Sequence, residues 1–152
     1  MPERPELGFL LNRLLHAVID GELPILQRHG LNMWDYVVLT ALGDGAAPTQ
    51  AELSAATGRD KTRLIGNLDR LAEAGLIRRE PDPQDRRNRI VALTGKGSTV
   101  LRKCRRDIAQ LEGELLSGLT ASDRRVFERS LVRLEASLPE SRRSLPTSRR
   151  SG

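Results

Sequence analysis

The fold is decided by LIRREPDPQDRRNRIVALT, residues 76–94, in which two apolar runs flank a polar segment. LIRRE at the start and RIVAL at the end have the composition of short strands, and neighbouring side chains of RIVAL point to opposite faces. The intervening PDPQDRRN has two prolines and otherwise polar side chains, which is typical of a loop. The stretch therefore predicts a β-hairpin with a long loop whose tip carries Arg86 and Arg87.

Two short helices are predicted directly before the hairpin. Thr49 and Glu52 form a T-x-x-E capping box for the first, which ends at Gly58. Asp60 caps the second, over about residues 61–74. Two short helices joined by a glycine-containing turn make a helix-turn-helix pattern, which also occurs as a plain helical hairpin in bundles. The hairpin that follows at once favours a winged helix.

Two more helices precede this module. Apolar side chains at helical spacing predict a first helix over about residues 6–28, which Pro24 kinks or interrupts and Gly30 ends. Asn32, with Asp35 three residues later, is the expected cap of a second helix, which stops at the turn-rich GDGAAP.

Two long helices are predicted after the hairpin. Thr94 caps the first, and Thr120 with Asp123 begins the second. Each has one apolar face at intervals of three and four residues, formed by Val100, Cys104, Ile108, Leu111 and Leu115 in the first and by Phe127, Leu131, Leu134 and Leu138 in the second. These faces and that of the first helix pack either between two copies of the chain or as an intramolecular three-helix bundle.

Composition bounds the class of protein. The chain of 152 residues suits one domain, and with 3% aromatic residues its core must consist mainly of aliphatic side chains. No apolar run reaches the roughly 18 residues of a membrane span, and no signal peptide is recognisable. Cys104 is the single cysteine, so an intramolecular disulfide is excluded and a cytoplasmic location is expected.

Much of the net charge lies at the C-terminal end. The formal charge is +5, and residues 139–152 contribute +3 through four arginines and one glutamate. This segment is rich in serine, proline and arginine, so we expect a disordered basic tail that is either solvated or weakly attracted to phosphates.

One motif points to a known family. Asp85 and Arg87 form a D-x-R pattern, and five residues later Leu93, Thr94 and Gly97 form L-T-x-x-G. With LNMWDYVVLTAL, AELSAATG and LDRLAEAGLIRR in order before it, the chain resembles the multiple-antibiotic-resistance regulator (MarR) family of bacterial winged-helix transcription regulators, over about residues 6–138.

The resemblance implies a mainly α fold with a small β-hairpin wing and an obligate homodimer, held by the first, fifth and sixth helices. The expected division is therefore dimerisation helices at 6–30 and 94–138, a winged helix-turn-helix lobe at 32–93 and the tail at 139–152. The family's usual activity is repression at a pseudo-palindromic operator in double-stranded DNA.

The second helix of the pair before the hairpin is the candidate recognition helix. Its leucines are expected to be buried, and its outer face is expected to present Lys61, Thr62, Arg63, Gly66, Asn67 and Arg70. On such a face Arg63 suits a guanine edge, Asn67 an adenine edge, and Thr62 either a base or a thymine methyl. Gly66 allows a close approach to DNA. The alternative is a solvated helix face with no DNA role.

Two further DNA contacts are expected. Thr49 and Gln50 begin the preceding helix, where backbone N–H groups and polar side chains suit a phosphate. The family resemblance implies that Arg87 enters the minor groove and that Asp85 orients it, with Arg86 as a neighbouring phosphate contact.

The remaining candidate sites concern ligands. Family members often bind small aromatic acids or phenols between the dimer helices and the DNA lobe, and His16, Trp34 and Tyr36 are either near such a pocket or part of the core. An alternative regulator is redox chemistry at Cys104, and an alternative function is a winged-helix interaction module that reads no DNA. The sequence shows no catalytic constellation, metal cluster or cofactor motif.

Overall fold

The computed structural model describes residues 4–43 and 45–140. This part of the chain forms six helices and one hairpin in the order α1 (Leu7–Arg28), α2 (Met33–Ala41), α3 (Gln50–Thr57), α4 (Lys61–Glu73), β1 (Ile77–Pro81), β2 (Arg89–Leu93), α5 (Gly95–Leu115) and α6 (Ala121–Ser137). The predicted mainly α winged-helix architecture is confirmed. The predicted tail lies, from residue 141 onward, outside the described residues.

Local capping sets the start of five helices. The side chain of Asn32 accepts from the Asp35 N–H group, while the Asp35 carboxylate accepts from the Asn32 N–H group, so α2 begins with a reciprocal capping box. The same N-terminal bond, from the N–H group three residues on to the cap side chain, begins each later helix, with caps at Thr49, Asp60, Thr94 and Thr120. The predicted caps are thus confirmed.

α1 has the predicted extent, with Pro24 inside the helix. The helix continues for four more residues to Arg28, so of the two effects expected of the proline, a kink or an interruption, the interruption does not occur. Ile25 and Leu26, which follow the proline, are buried in the core. Their burial holds the last turn in place, although proline removes one backbone donor.

The hairpin is antiparallel and attached to α3. β1 pairs with β2 in a register that sets Ile77 opposite Leu93 and Pro81 opposite Arg89. The Val91 N–H group donates to the Pro48 carbonyl at 2.9 Å. β2 therefore bonds both to β1 and to the segment that leads into α3, which fixes the root of the wing against the helix-turn-helix.

A close backbone contact joins the hairpin to α5. The Thr94 N–H group donates to the Leu76 carbonyl oxygen at 3.1 Å, and the Thr94 hydroxyl donates to the Gly75 carbonyl at 2.6 Å. In the first turn of α5, Gly97 lies so near that a Cβ atom there would be 1.9 Å from the Leu76 carbonyl oxygen. Glycine is therefore required at this crossing.

The single chain has one continuous core and one uncovered apolar surface. The core joins the end of α1 to α2, α3, α4, the hairpin and α5. None of residues 121–137, which form α6, is buried. A groove of about 360 Å³ runs between α1, α5 and α6, lined largely by leucines such as Leu14 and Leu131 and by Phe127. The predicted apolar face of α5 is largely covered within the chain, because Cys104 and Ile108 are buried in the core, whereas large apolar side chains of α1 and α6 stay exposed. None of the described helices is long and apolar enough to cross a membrane.

Candidate nucleic-acid interface

The N-terminal half of α4 presents a polar, exposed face. Lys61, Thr62 and Arg63 are all exposed, as expected. The Arg63 guanidinium is held by its own cap residue, with Nε 3.3 Å from Asp60 Oδ2, and it stays two-thirds exposed. Gly66 lies on the same face, and nothing is found within 4 Å of the position that a Cβ atom would take there. This face is sterically open to a large partner.

Asn67 does not lie on that face, and the prediction that it does is wrong. It is 2% exposed, its Nδ2 atom donates to Asp35 Oδ1 at 2.8 Å, and its Oδ1 atom accepts from Arg59 Nε at 3.1 Å. Asn67 follows Leu64 by three residues and precedes Leu71 by four, so helical geometry places it on the buried face. In this arrangement its amide is unavailable to a base.

The Arg70 side chain is about half exposed, but its guanidinium is hydrogen-bonded within the protein. Its side chain is 55% exposed, while Nη2 donates to Asp35 Oδ1 at 2.7 Å. The outward position that was predicted is present, but the guanidinium reaches back to α2. Asp35 therefore anchors α4 in addition to capping α2, and only the capping role was foreseen. The available signal was an acid in the middle of the apolar MWDYVVL segment.

The first turn of α3 is partly occupied by its own capping bonds. The Thr49 hydroxyl accepts from the Glu52 N–H group at 3.2 Å and donates to the Glu52 carboxylate at 3.1 Å. Gln50 is half-buried beside it. The first N–H groups of a helix lack intrahelical partners. A phosphate here would therefore be bound by these backbone N–H groups and by Gln50, because the Thr49 hydroxyl is already bonded to Glu52.

The wing tip has the arrangement expected of D-x-R. Arg87 donates to Asp85 Oδ1 from both its backbone N–H group and Nε, each at 3.1 Å, and from Nη2 to Oδ2 at 3.3 Å. These bonds lower the pKa of Asp85. The Arg87 side chain is nevertheless 90% exposed, and Arg86 beside it is exposed as well. Asp85 thus orients a guanidinium that still projects into solvent.

A salt bridge joins the wing to the recognition helix. Arg79 of β1 places Nη1 2.8 Å from Asp69 Oδ1 of α4, and Arg78 places Nε 2.8 Å from Glu80 within the same strand. Neither arginine was predicted as a site residue. The Arg79–Asp69 pair helps to keep wing and helix in one relative position.

The three candidate ligand residues are not brought together. His16 is exposed on α1 and donates from Nδ1 to the Asn12 carbonyl at 2.7 Å. The Trp34 ring lies under the Arg59 guanidinium, whose centre is 4.4 Å from the ring centroid. Tyr36 packs against the core, and burial is the main cause of its raised pKa.

Two further kinds of candidate site are a reactive thiol at Cys104 and a metal site. The thiol is fully buried on α5, and burial, followed by the Asp107 carboxylate, raises its pKa. Reactive thiols have the opposite character, with exposure and a lowered pKa. Among the described residues no group of His, Cys, Asp or Glu side chains is arranged to hold a metal ion.

The helix-turn-helix, the exposed basic start of α4 and the Asp85-oriented wing arginine define a winged-helix nucleic-acid-binding protein. Comparison with known proteins narrows this class. A family model described as the MarR family matches residues 29–88. The chain is 38% identical to the HTH-type transcriptional repressor NicR of Pseudomonas putida over 116 residues, which is 71% of this chain and 73% of the relative. It is 30% identical to the multiple antibiotic resistance protein MarR of Escherichia coli over 118 residues, covering 74% and 82%.

Solved structures agree. The apo form of wild-type MarR from E. coli superposes with a TM-score of 0.78 at 28% identity, covering 90% of this chain and 99% of that one. A cysteine-to-serine mutant of the same MarR, complexed with operator DNA, superposes with a TM-score of 0.70, also at 28% identity, covering 88% and 94%. The protein belongs to the MarR family of DNA-binding transcription regulators.

Proposed function

We propose that this protein is a repressor that binds a pseudo-palindromic operator through two α4 helices and two wings, one of each from either protomer. The observation that carries the proposal is the pairing of an exposed basic helix start, at Lys61 and Arg63, with an exposed wing arginine that Asp85 orients. The first suits a major groove and the second the adjacent minor groove. NicR, a relative, bears the name of a transcriptional repressor.

The dimer is proposed to form through the uncovered apolar surface of α1, α5 and α6. Large side chains on α1 and α6 are about half exposed or more in the single chain, among them Leu7, Phe9, Leu14, Leu15, Val132 and Leu134. A patch of this extent is costly in water and typical of a protein interface. A two-fold axis through it would present the two α4 helices to successive major grooves, roughly 34 Å apart on one side of the duplex.

A small aromatic or phenolic ligand is the proposed releasing signal, and this part of the proposal rests on the family resemblance. The apolar groove along α1 and the more polar groove between α1 and α5, which includes Arg28 and Asp107, are the spaces near the dimer helices. His16, Trp34 and Tyr36 occupy separate surroundings, so they do not support one shared pocket. Of the two alternatives, redox control at Cys104 is disfavoured by its burial, and an interaction module without DNA leaves the orientation of Arg87 unexplained.

The test is sequence-specific DNA binding. Fluorescence anisotropy compares the duplex upstream of the protein's own gene with a random duplex over a series of salt concentrations. We expect tighter binding to the upstream duplex, by at least about a hundredfold, and a strong salt dependence for both. Equal affinity for the two duplexes would contradict the proposal.

The wing's role is tested in the same assay with Arg87→Ala. We expect the affinity for the upstream duplex to fall more than about tenfold, a loss of the size that one specific DNA contact carries. The circular dichroism spectrum and the dimer should stay unchanged, because the side chain is almost fully exposed. Unchanged affinity would remove Arg87 from the interface.

A further inference from the structure

A cluster of polar side chains lies within the otherwise apolar contact between α2 and α4. Asp35 of α2 is 3% exposed, and its Oδ1 atom accepts from Asn67 Nδ2 at 2.8 Å and from Arg70 Nη2 at 2.7 Å. Asn67 Oδ1 accepts from Arg59 Nε at 3.1 Å, and the Arg59 guanidinium lies over the Trp34 ring. These five residues, here named the polar clamp, join α2, the turn before α4 and α4 itself.

The hydrogen-bonding capacity of the polar clamp is well used. The second Asp35 oxygen accepts from the Asn32 N–H group at 3.0 Å, so both carboxylate oxygens have donors. Among the described residues, no buried side-chain nitrogen or oxygen lacks a partner. The Arg59 backbone is fixed as well, because its carbonyl accepts from the Ser54 hydroxyl at 2.6 Å. Hydrogen bonds that converge on a buried carboxylate, as these do on Asp35, make the contact between α2 and α4 more rigid.

The polar clamp fixes the rotational orientation of α4, which apolar packing alone specifies less sharply. Leu64, Leu68 and Leu71 attach the helix to the core, but apolar burial has little directional preference. Hydrogen bonds weaken steeply with distance and angle. A rotation of α4 by about 20° moves a point ~6 Å from its axis by about 2 Å, which breaks a hydrogen bond, whereas an apolar contact can re-form with a neighbouring side chain. The same displacement at Arg63 would break a bond to a base.

We propose that the polar clamp positions the recognition helix, so that Asn67 and Arg70 act on operator discrimination through the orientation of α4 and not by touching DNA. The inference rests on the proposed function, in which α4 reads the operator. It assigns Asp35, Asn67, Arg70 and Arg59 a role that is separate from phosphate binding.

Two matched substitutions separate positioning from contact. Arg70→Met removes a guanidinium that the structure places on Asp35, and Arg86→Met removes one from an exposed side chain at the wing tip. The probes are a duplex selected from a random-sequence pool by the full-length dimer and a scrambled duplex of the same composition. Anisotropy gives the affinity for each duplex and its dependence on salt.

Arg70→Met is expected to change selectivity between the duplexes, and Arg86→Met is expected to change the affinity for both. Arg70→Met should lower the ratio of selected to scrambled affinity at least about tenfold, with the scrambled affinity and the salt slope unchanged. Arg86→Met should weaken both duplexes and reduce the salt slope by about one, as the removal of a phosphate-binding cation does. If Arg70→Met instead weakens binding to the scrambled duplex and reduces the slope by about one, Arg70 touches DNA and the proposal is overturned. A selectivity ratio within about threefold of the original also overturns it, because a misplaced α4 forfeits at least one specific base contact.

Further variants distinguish a loss of selectivity from a loss of folding. Arg70→Lys keeps a cation within reach of Asp35 and should recover part of the selectivity. If Arg70 bound a phosphate, Arg70→Lys would instead restore the salt slope. If melting shows that Arg70→Met is unfolded, the nearly isosteric Asp35→Asn, which removes the charge that holds Arg70, is measured in its place. A selectivity ratio at least about tenfold lower supports the polar clamp, and a ratio within about threefold of the original overturns it. Should the wild-type protein select no preferred sequence, the proposed function fails; a wild-type preference that the folded variant retains refutes only the polar clamp.

Discussion

Replacement of Gly97 by alanine is expected to destabilise the protein through one backbone clash. The new Cβ atom would lie 1.9 Å from the Leu76 carbonyl oxygen, 2.9 Å from its carbon and 3.2 Å from the Leu76 Cα atom. The Leu76 carbonyl already accepts from the Thr94 N–H group. Since real Cβ contacts essentially never fall below 3.0 Å, relief of the clash requires a shift of at least about 1 Å between the hairpin root and the first turn of α5. The bond to Thr94 stretches as they part.

The expected cost follows from two effects. Overpacking a tight site costs about 1–3 kcal/mol. Loss of one buried hydrogen bond adds roughly 1 kcal/mol. We therefore expect Gly97→Ala to lower the free energy of unfolding by about 3 kcal/mol. For a domain of this length that corresponds to a drop in Tm of roughly 10 °C.

Gly66→Ala is the matched control, because it makes the same chemical change in another helix of the same protein. Nothing lies within 4 Å of its Cβ position. Alanine is favoured over glycine in a helix interior by about 1 kcal/mol, so this variant should be slightly more stable. Thermal and urea unfolding, followed by circular dichroism at one protein concentration, measure both variants. A Gly97→Ala protein within about 0.5 kcal/mol of wild type would refute the reasoning from the clash.

Three further outcomes are expected. The Asp85 carboxyl should titrate below its unfolded pKa, so the oriented form of the wing is complete above about pH 4 and is lost as pH falls through the lowered folded pKa. NMR titration should find a higher Asp85 pKa in Arg87→Ala, because the side-chain bonds are lost while the backbone N–H bond remains, and an unchanged pKa in that variant would contradict the assignment. Leu131→Glu on α6 should shift the protein from dimer to monomer in sedimentation experiments, and a persistent dimer would place the interface elsewhere. Peroxide should leave DNA binding unchanged within about twofold because Cys104 is buried, and a thiol-dependent loss of binding would restore the redox alternative.

Features set by neighbouring residues were predictable from the sequence. The caps at Asn32, Thr49, Asp60, Thr94 and Thr120 were all identified, because a cap and its N–H partner are three residues apart. Both strands of the hairpin were placed to within about one residue, because apolar runs on either side of a polar, proline-containing loop are also a local pattern. Asp85 and Arg87 also interact at short range.

Features that depend on distant partners were missed or misplaced. Asn67 was predicted to contact DNA because polar side chains usually lie outside, although its spacing from Leu64 and Leu71 places it on the buried face. Its partner in the core, Asp35, lies 32 residues away in the sequence. Nothing in the local sequence indicates that Arg79 pairs with Asp69 across the helix–wing angle. The course of the chain at Pro24 was set by the burial of the residues that follow it.

The recognition helix is held on two sides, and this restricts how any signal can alter DNA binding. Asp35 fixes α4 to α2, and the shared core that contains Leu71 and Val91 joins α4 to the wing, with a small addition from the exposed Arg79–Asp69 pair. The wing and α4 therefore form one lobe. The chain passes between this lobe and the dimer helices at two junctions, from α1 to α2 and from β2 to α5 through Thr94 and Gly97. A ligand that separates the two α4 helices is therefore expected to move each lobe as one unit, together with the end of α1 and the part of α5 that share its core. A ligand that deformed α4 would first have to break an ion pair whose carboxylate is buried, which is the more costly change.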